Sequence, residues 1–155
     1  MSPTEKTTVV IGCDHAAFTL KQELGAYLQT KGFLVLDVGT HSEERCDYPD
    51  FAEAACSHVQ SGEASWGLLV CGTGIGMSMA ANRCTGIRAA VVSDSFSARA
   101  TRQHNDANIL CLGSRVVGVG LAQEILDAWC SASFEGGRHQ ERITKMMNIN
   151  QRNTI

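Results

Sequence analysis

Five short apolar runs alternate with longer amphipathic stretches, and this alternation constrains the fold more than any other feature of the chain. The apolar runs span residues 8–13, 33–39, 66–71, 86–92 and 107–113. Helices are expected across about residues 17–31, 49–59, 75–84, 94–103, 119–130 and 138–149. Short continuous runs such as TVVIGC are typical of strands buried on both faces. The alternation therefore predicts a doubly wound α/β fold, a five-stranded parallel sheet with helices on both faces.

Length and composition exclude several classes of protein. With 155 residues, 44% hydrophobic and 19% charged, the chain is expected to form one domain over residues 1–155. A formal charge of −3 gives no field that attracts nucleic acid or a membrane surface. The seven cysteines are odd in number and form no C-x-x-C pair, and the N-terminus lacks the apolar core of a signal peptide. We therefore expect a reduced, cytoplasmic protein without nucleic-acid or membrane partners.

A glycine-rich turn follows the third run, in the stretch VCGTGIGMS. Gly72, Gly74 and Gly76 allow successive backbone N–H groups to converge beside the positive end of the following helix. A dinucleotide fingerprint requires glycine where Met77 stands, and a P-loop requires a Lys-Ser or Lys-Thr pair. The turn predicts an anion site that does not bind a nucleotide, and a tight turn without a ligand is the alternative.

Cys71 is the last residue of the third run, directly before this turn. A thiol near a helix N-terminus gives up its proton more readily, which suits a nucleophile, a base or a redox thiol. A small residue that fills the core is the fourth possibility. The spacing alone leaves all four open.

Other polar residues lie at or near the carboxyl ends of strands, where ligands of such folds bind. Asp14 and His15 follow the first strand, as an acid/base pair or as a helix cap with an exposed imidazole. His104 and Asn105 end a helix, as candidate site residues. The alternative is that His104 is only a cation that the dipole of this helix stabilises. Arg115 follows the fifth strand.

The last expected helix carries Arg138 and Arg142 four residues apart, hence on one face. This spacing suits a clamp for phosphate, and a solvated basic helix is the alternative. Metal ligation is not expected, because the remaining candidates lack ligand spacing: His41, Cys46, His58 and His139.

Longer segments combine these residues: GCDHAA, DYPDFA, VCGTGIGMSMAAN, RQHNDANIL, LGSRVVG and FEGGRHQERI. In them the chain resembles the ribose-5-phosphate isomerase B family, which includes isomerases of galactose 6-phosphate and allose 6-phosphate. The resemblance spans about Val9 to Asn148. It implies a Rossmann-like fold, a homodimer or dimer of dimers, and interconversion of D-ribose 5-phosphate and D-ribulose 5-phosphate in the pentose phosphate pathway. No cofactor or metal is implied.

The resemblance also implies roles for individual residues. Cys71 is the base that moves a proton between C2 and C1 of the open-chain sugar through a cis-enediolate. The backbone of Gly72, Gly74 and Gly76 stabilises the enediolate oxygen, and Thr73 assists beside the thiol. The furanose ring is bound and opened by two further residues, Asp14 and His104.

The phosphate and the rest of the sugar have their own implied ligands. His15, Arg138 and Arg142 bind the phosphate, while Tyr48 packs against the sugar. In the family each site combines two subunits, so the helix over about residues 138–149 reaches the partner. The residues that face the partner's glycine turn are then His104, Asn105, Arg115, Arg138 and Arg142.

Position 75 distinguishes two branches of the family. One branch has serine in place of the cysteine and a glutamate base four positions later, where this chain has Ile75. The chain therefore resembles the cysteine branch.

Three rival functions stay open on the sequence. The chain can be an isomerase of a six-carbon sugar phosphate, a non-catalytic regulatory subunit, or a redox protein that uses Cys71. Retention of the implied site residues argues against an incomplete subunit. These residues are Asp14, His15, Cys71, Thr73, His104, Arg138 and Arg142.

Overall fold

The computed structural model describes residues 6–152 and contains one five-stranded parallel sheet. Its strands are β1 (Thr8–Cys13), β2 (Leu34–Asp37), β3 (Trp66–Cys71), β4 (Ala89–Val91) and β5 (Ile109–Gly113). They lie in the order β2-β1-β3-β5-β4, and every neighbouring pair is parallel. The predicted doubly wound sheet is confirmed. The expected domain over residues 1–155 includes residues 1–5 and 153–155, which lie outside the described part.

A 3-10 turn (His15–Ala17) and seven helices accompany the sheet in residues 6–152. The helices are α1 (Phe18–Thr30), α2 (Tyr48–Gln60), α3 (Ile75–Ala81), α4 (Ser95–Asn105), α5 (Val119–Ser131), α6 (Arg138–Met147) and α7 (Ile149–Arg152). Within this part of the chain no helix has the length and apolar character that crossing a membrane requires.

Two apolar layers enclose the sheet. On one face α1, α4 and α5 pack around a cluster that includes Leu24, Leu68 and Trp129. On the other face α2 and α3 cover a second cluster that contains Cys56, Cys71 and Cys111. Residues of β3 alternate between the two clusters, because successive side chains of a strand point to opposite faces. This explains why its whole sequence is apolar or glycine.

The helix starts follow local rules. Pro49 lies in the first turn of α2, where its missing N–H costs no hydrogen bond. Asp94 caps α4 by accepting a hydrogen bond from the Ser97 N–H at 2.6 Å, which lowers the pKa of the Asp94 carboxyl. Both starts were expected from the sequence.

The strand order places a switch point between β1 and β3. The chain continues from β1 to β2 on one side and to β3 on the other, which leaves a crevice beyond the carboxyl ends of β1 and β3. We call the end of the sheet at Cys13, Cys71 and Gly113 the carboxyl edge, and the opposite end at Thr8 and Ile109 the amino edge. Asp14 and the glycine turn flank the crevice.

Candidate active site

The turn after β3 places a thiol against a backbone donor. Cys71 is 5% exposed, and the N–H of Gly74 donates a hydrogen bond to its Sγ at 3.1 Å. An N–H donor at this distance stabilises negative charge on sulfur. Gly74 has φ +77, and a Cβ there would lie 2.8 Å from the Leu112 carbonyl carbon. Glycine is therefore required for the geometry that brings the donor to the sulfur.

The chain itself uses part of the predicted nest. Besides the Gly74 N–H, the N–H of Ile75 donates to Thr73 Oγ1 at 3.2 Å. The N–H of Gly74 therefore points at the thiol of its own chain, whereas the sequence predicts amides that face an external anion. Sequence spacing does not reveal this, because it depends on the left-handed conformation of one residue.

Arg115 and Tyr48 enclose the turn from two sides. A Cβ on Gly72 would lie 3.3 Å from Nη1 of Arg115, and a Cβ on Gly76 would lie 2.8 Å from Cζ of Tyr48. Tyr48 thus lies against the turn, and its contact with the sugar stays a prediction. Arg115 differs, because it was expected to face a partner's turn and instead lies over the turn of its own chain.

Asp14 and His15 lie at the end of β1, across the crevice from the turn. Asp14 is 7% exposed and caps the 3-10 turn, since its Oδ1 accepts from the Ala16 N–H at 3.0 Å. His15 Nδ1 lies 3.2 Å from the carbonyl oxygen of Cys46 and 4.0 Å from its Sγ. The loop after β2 thus returns to His15, and no sequence pattern identified Cys46 as its neighbour.

A buried lysine fixes this loop, and sequence reasoning missed it. Lys21 Nζ is fully buried and donates to both carboxylate oxygens of Asp37, at 2.7 and 2.8 Å, and to the Thr40 carbonyl at 2.7 Å. A buried ammonium needs such partners to remain charged. Beside it, burial raises the pKa of Cys13 to about 12, so this thiol stays protonated at neutral pH.

His104 and Asn105 lie at the amino edge, in the last turn of α4. Arg88 Nε donates to the carbonyl oxygens of Asn105 at 3.1 Å and Asp106 at 3.0 Å. Asp106 has φ +45, the left-handed conformation that ends the helix. Arg88 therefore holds the backbone that carries the two predicted site residues.

The C-terminal helix meets α4 at this edge. The rings of His104 and His139 stack with centroids 4.5 Å apart and planes 12° apart. His139 Nε2 also lies 3.5 Å from Oε2 of Glu135. Arg138 and Arg142 are exposed on the same helix, α6. The helix that carries the two arginines is thus joined to His104 through His139, which had no predicted role.

The structure divides the predicted residues into two groups at opposite edges of the sheet. The carboxyl edge holds Cys71, Thr73, the three glycines, Asp14, His15, Tyr48 and Arg115, whereas the amino edge holds His104, Asn105, Arg138 and Arg142. Gly113 pairs with Cys71 at one end of β5, and α4 returns to the other end. The two edges are about 13 Å apart along β5, since four residue steps separate Ile109 from Gly113. Within one chain the groups form two separate sites.

Comparison with known proteins identifies close similarity over nearly the whole chain. A model of the family described as Ribose/Galactose Isomerase matches residues 9–146. Ribose-5-phosphate isomerase B of Escherichia coli K12 is 51% identical over 144 residues, which are 93% of this chain and 97% of that protein. The galactose-6-phosphate isomerase subunit LacB of Clostridium acetobutylicum is 40% identical, covering 88% of this chain and 79% of the relative.

A solved structure shares the fold. Ribose-5-phosphate isomerase B of Clostridium thermocellum superposes with a TM-score of 0.93 at 48% identity, over 96% of this chain and all of that one. Residues 9–146, which the family model matches, include every residue of both candidate groups.

Proposed function

This chain belongs to the Ribose/Galactose Isomerase family, and we propose that it interconverts D-ribose 5-phosphate and D-ribulose 5-phosphate. The observation that carries the proposal is the thiol of Cys71, which is nearly buried at the switch point and accepts the Gly74 N–H at 3.1 Å. A thiol held in this way has a donor that compensates its charge, as a base requires. The fold, the family and the site chemistry all point to an isomerase.

Cys71 acts as the base in the proposed reaction. Its thiolate takes the proton from C2 of the open-chain aldose, the C–H electron pair forms the C1–C2 double bond, and the carbonyl electrons move to O1. The thiol then returns the proton to C1, while the O2 proton passes to O1, so that O1 becomes a hydroxyl and C2 a ketone. A base and hydrogen-bond donors to the substrate oxygens suffice for this reaction, because electrons are only redistributed within the substrate. Thr73, beside the thiol, and Asp14, across the crevice, complete the polar lining of the turn.

A second copy of the chain completes the site. The groups proposed to open the ring and hold the phosphate lie at the amino edge, which the length of β5 separates from the edge of Cys71 by about 13 Å. These groups are His104, Arg138 and Arg142. Proton transfer needs reacting atoms within about 3.5 Å. We therefore infer a homodimer in which the amino edge of one protomer faces the carboxyl edge of its partner, with α6 reaching across.

Exposed apolar side chains support such an association at the carboxyl edge. Ile75 is 53% exposed and Phe96 is 75% exposed, and both lie in helices that begin there. Burying side chains of this size contributes to association. His15 lies at the same edge, so the protomer that contributes Cys71 also contributes this proposed phosphate ligand. The seven cysteines are all free, which supports a reducing, cytoplasmic location.

The decisive assay compares substrates. Initial rates with ribose 5-phosphate, ribulose 5-phosphate, allose 6-phosphate and galactose 6-phosphate should give the highest kcat/KM for the five-carbon pair. The similarity to a galactose-6-phosphate isomerase subunit makes a hexose phosphate the second candidate. A higher kcat/KM with a six-carbon sugar would assign the chain to that activity instead.

A further inference from the structure

Three metal-ligating side chains converge at the amino edge. His104 comes from α4, His139 from α6, and Glu135 from the connection between α5 and α6. One ligand atom of each lies within 4.8 Å of the other two. Glu135 and His139 are four residues apart in sequence, but His104 is brought to them only by the packing of α6 on α4. This explains why sequence spacing did not reveal the cluster.

Backbone and ring contacts hold the cluster together. The N–H of Glu135 donates to the carbonyl oxygen of Gln103 at 3.0 Å, which fastens the connection to the end of α4. His139 is 7% exposed, and its ring stacks on that of His104. One ligand is therefore fixed by packing, whereas the side chains of His104 and Glu135 are exposed, so each has room to change rotamer when an ion binds.

We propose that His104, Glu135 and His139 bind a Zn²⁺ ion, with water as the fourth ligand. Two imidazole nitrogens and one carboxylate are a donor set that Zn²⁺ binds in tetrahedral geometry. Zinc–ligand bonds of 2.0–2.1 Å place neighbouring ligand atoms about 3.4 Å apart. His139 Nε2 and Glu135 Oε2 are already 3.5 Å apart. Only His104 has to approach, and rotation of an exposed side chain at a helix end provides that movement.

The ion would act as a reversible inhibitor. A zinc-bound imidazole nitrogen has no free electron pair, so it cannot accept a proton from the sugar. This consequence, unlike the binding itself, rests on the role proposed for His104 in ring opening. Zinc should therefore reduce isomerase activity, and a chelator should restore it.

Direct binding tests the site independently of catalysis. Isothermal titration of Zn²⁺ into the chelator-treated, full-length protein should give a Kd at least about tenfold weaker for Glu135→Gln, since even indirect partners of a metal contribute this much. Glu141→Gln removes the same charge from an exposed position on α6 and should bind like the wild type. All three proteins retain the seven thiols, so cysteine binding cancels in the comparison. Equal affinity in the two variants would overturn the site.

Activity provides the second readout. Each protein is normalised to its own metal-free rate, and the Zn²⁺ concentration for half inhibition should rise in Glu135→Gln by the same factor as Kd. His139→Gln should repeat both changes. Zinc binding that depends on Glu135 but leaves wild-type activity intact would support the site and contradict the role of His104. Inhibition that is equal in both glutamate variants would place the inhibitory zinc elsewhere and overturn this part.

Discussion

The two edges of the sheet position their functional groups by different means. At the carboxyl edge the backbone positions the functional group, because a left-handed glycine lies against β5 and directs its N–H at a buried sulfur. At the amino edge a long side chain positions the functional group, because Arg88 donates hydrogen bonds to the carbonyl oxygens of the two residues that follow His104. Backbone placement tolerates almost no change, whereas side-chain placement is adjustable. We therefore expect the edge that would hold the base to be the more rigid one.

The largest effect is expected from removing the thiol. Cys71→Ala should lower kcat by at least about a hundredfold, the usual contribution of a positioned base. The protein should remain folded, because alanine fits a small apolar position in the core. Steady-state kinetics with ribose 5-phosphate, with thermal unfolding as the folding control, provide the measurement. Near-normal turnover would refute Cys71 as the base.

A matched pair of glycine variants tests the rigidity of the carboxyl edge. Gly74 and Gly86 both have φ +77, but a Cβ meets the Leu112 backbone at 2.8 Å only in the first case, whereas nothing lies within 4 Å in the second. Gly86→Ala should cost about 1–2 kcal/mol, the strain of the left-handed conformation. Gly74→Ala should cost more and should also reduce kcat. Urea unfolding compares them, and equal costs would contradict the close packing.

A smaller effect is expected at the amino edge. Arg88→Ala removes several charge-assisted hydrogen bonds, and we expect a loss of about 1.5–3 kcal/mol together with a lower kcat as His104 loosens. The control is Arg83→Ala, because Arg83 is exposed and lines one cleft together with Arg88 and Asn105. If both variants retain wild-type kcat, Arg88 does not position His104.

Removal of metal ions by a chelator should have no effect on the isomerase rate. Incubation with EDTA should leave the rate of ribose 5-phosphate isomerisation unchanged, because the proposed chemistry moves one proton and needs no metal. Any stimulation would indicate removal of inhibitory zinc. Loss of activity that added Zn²⁺ restores would contradict the proposed mechanism.

How far the sequence predicts the structure depends on how local each feature is. β1 and β3 match their expected bounds, because continuous apolar runs between polar residues define both ends. β4 was expected from Gly86 but begins at Ala89, since the Arg88 N–H donates to the side chain of Asn108 instead of to a neighbouring strand. No local pattern signals such a side-chain competitor.

Helix ends and tertiary neighbours show the same limit. α3 was expected to reach Cys84 and ends at Ala81, where the N–H of Cys84 turns back to the Ala81 carbonyl oxygen in a tighter turn. The C-terminal helix is interrupted at Asn148, so α7 is separate from α6. The His104–His139 stack joins residues 35 positions apart, which only the packing of two helices determines.

The separation of the two edges is testable by mixing chains. The Cys71→Ala chain lacks the thiol and the His104→Ala chain lacks the imidazole. The two chains are co-expressed with different affinity tags and purified as the mixed dimer. If each site combines two protomers, one site of the mixed dimer is intact, and activity should recover to about half of the wild-type value, as two-fold symmetry requires. A mixed dimer as inactive as either variant alone would contradict a site shared between chains.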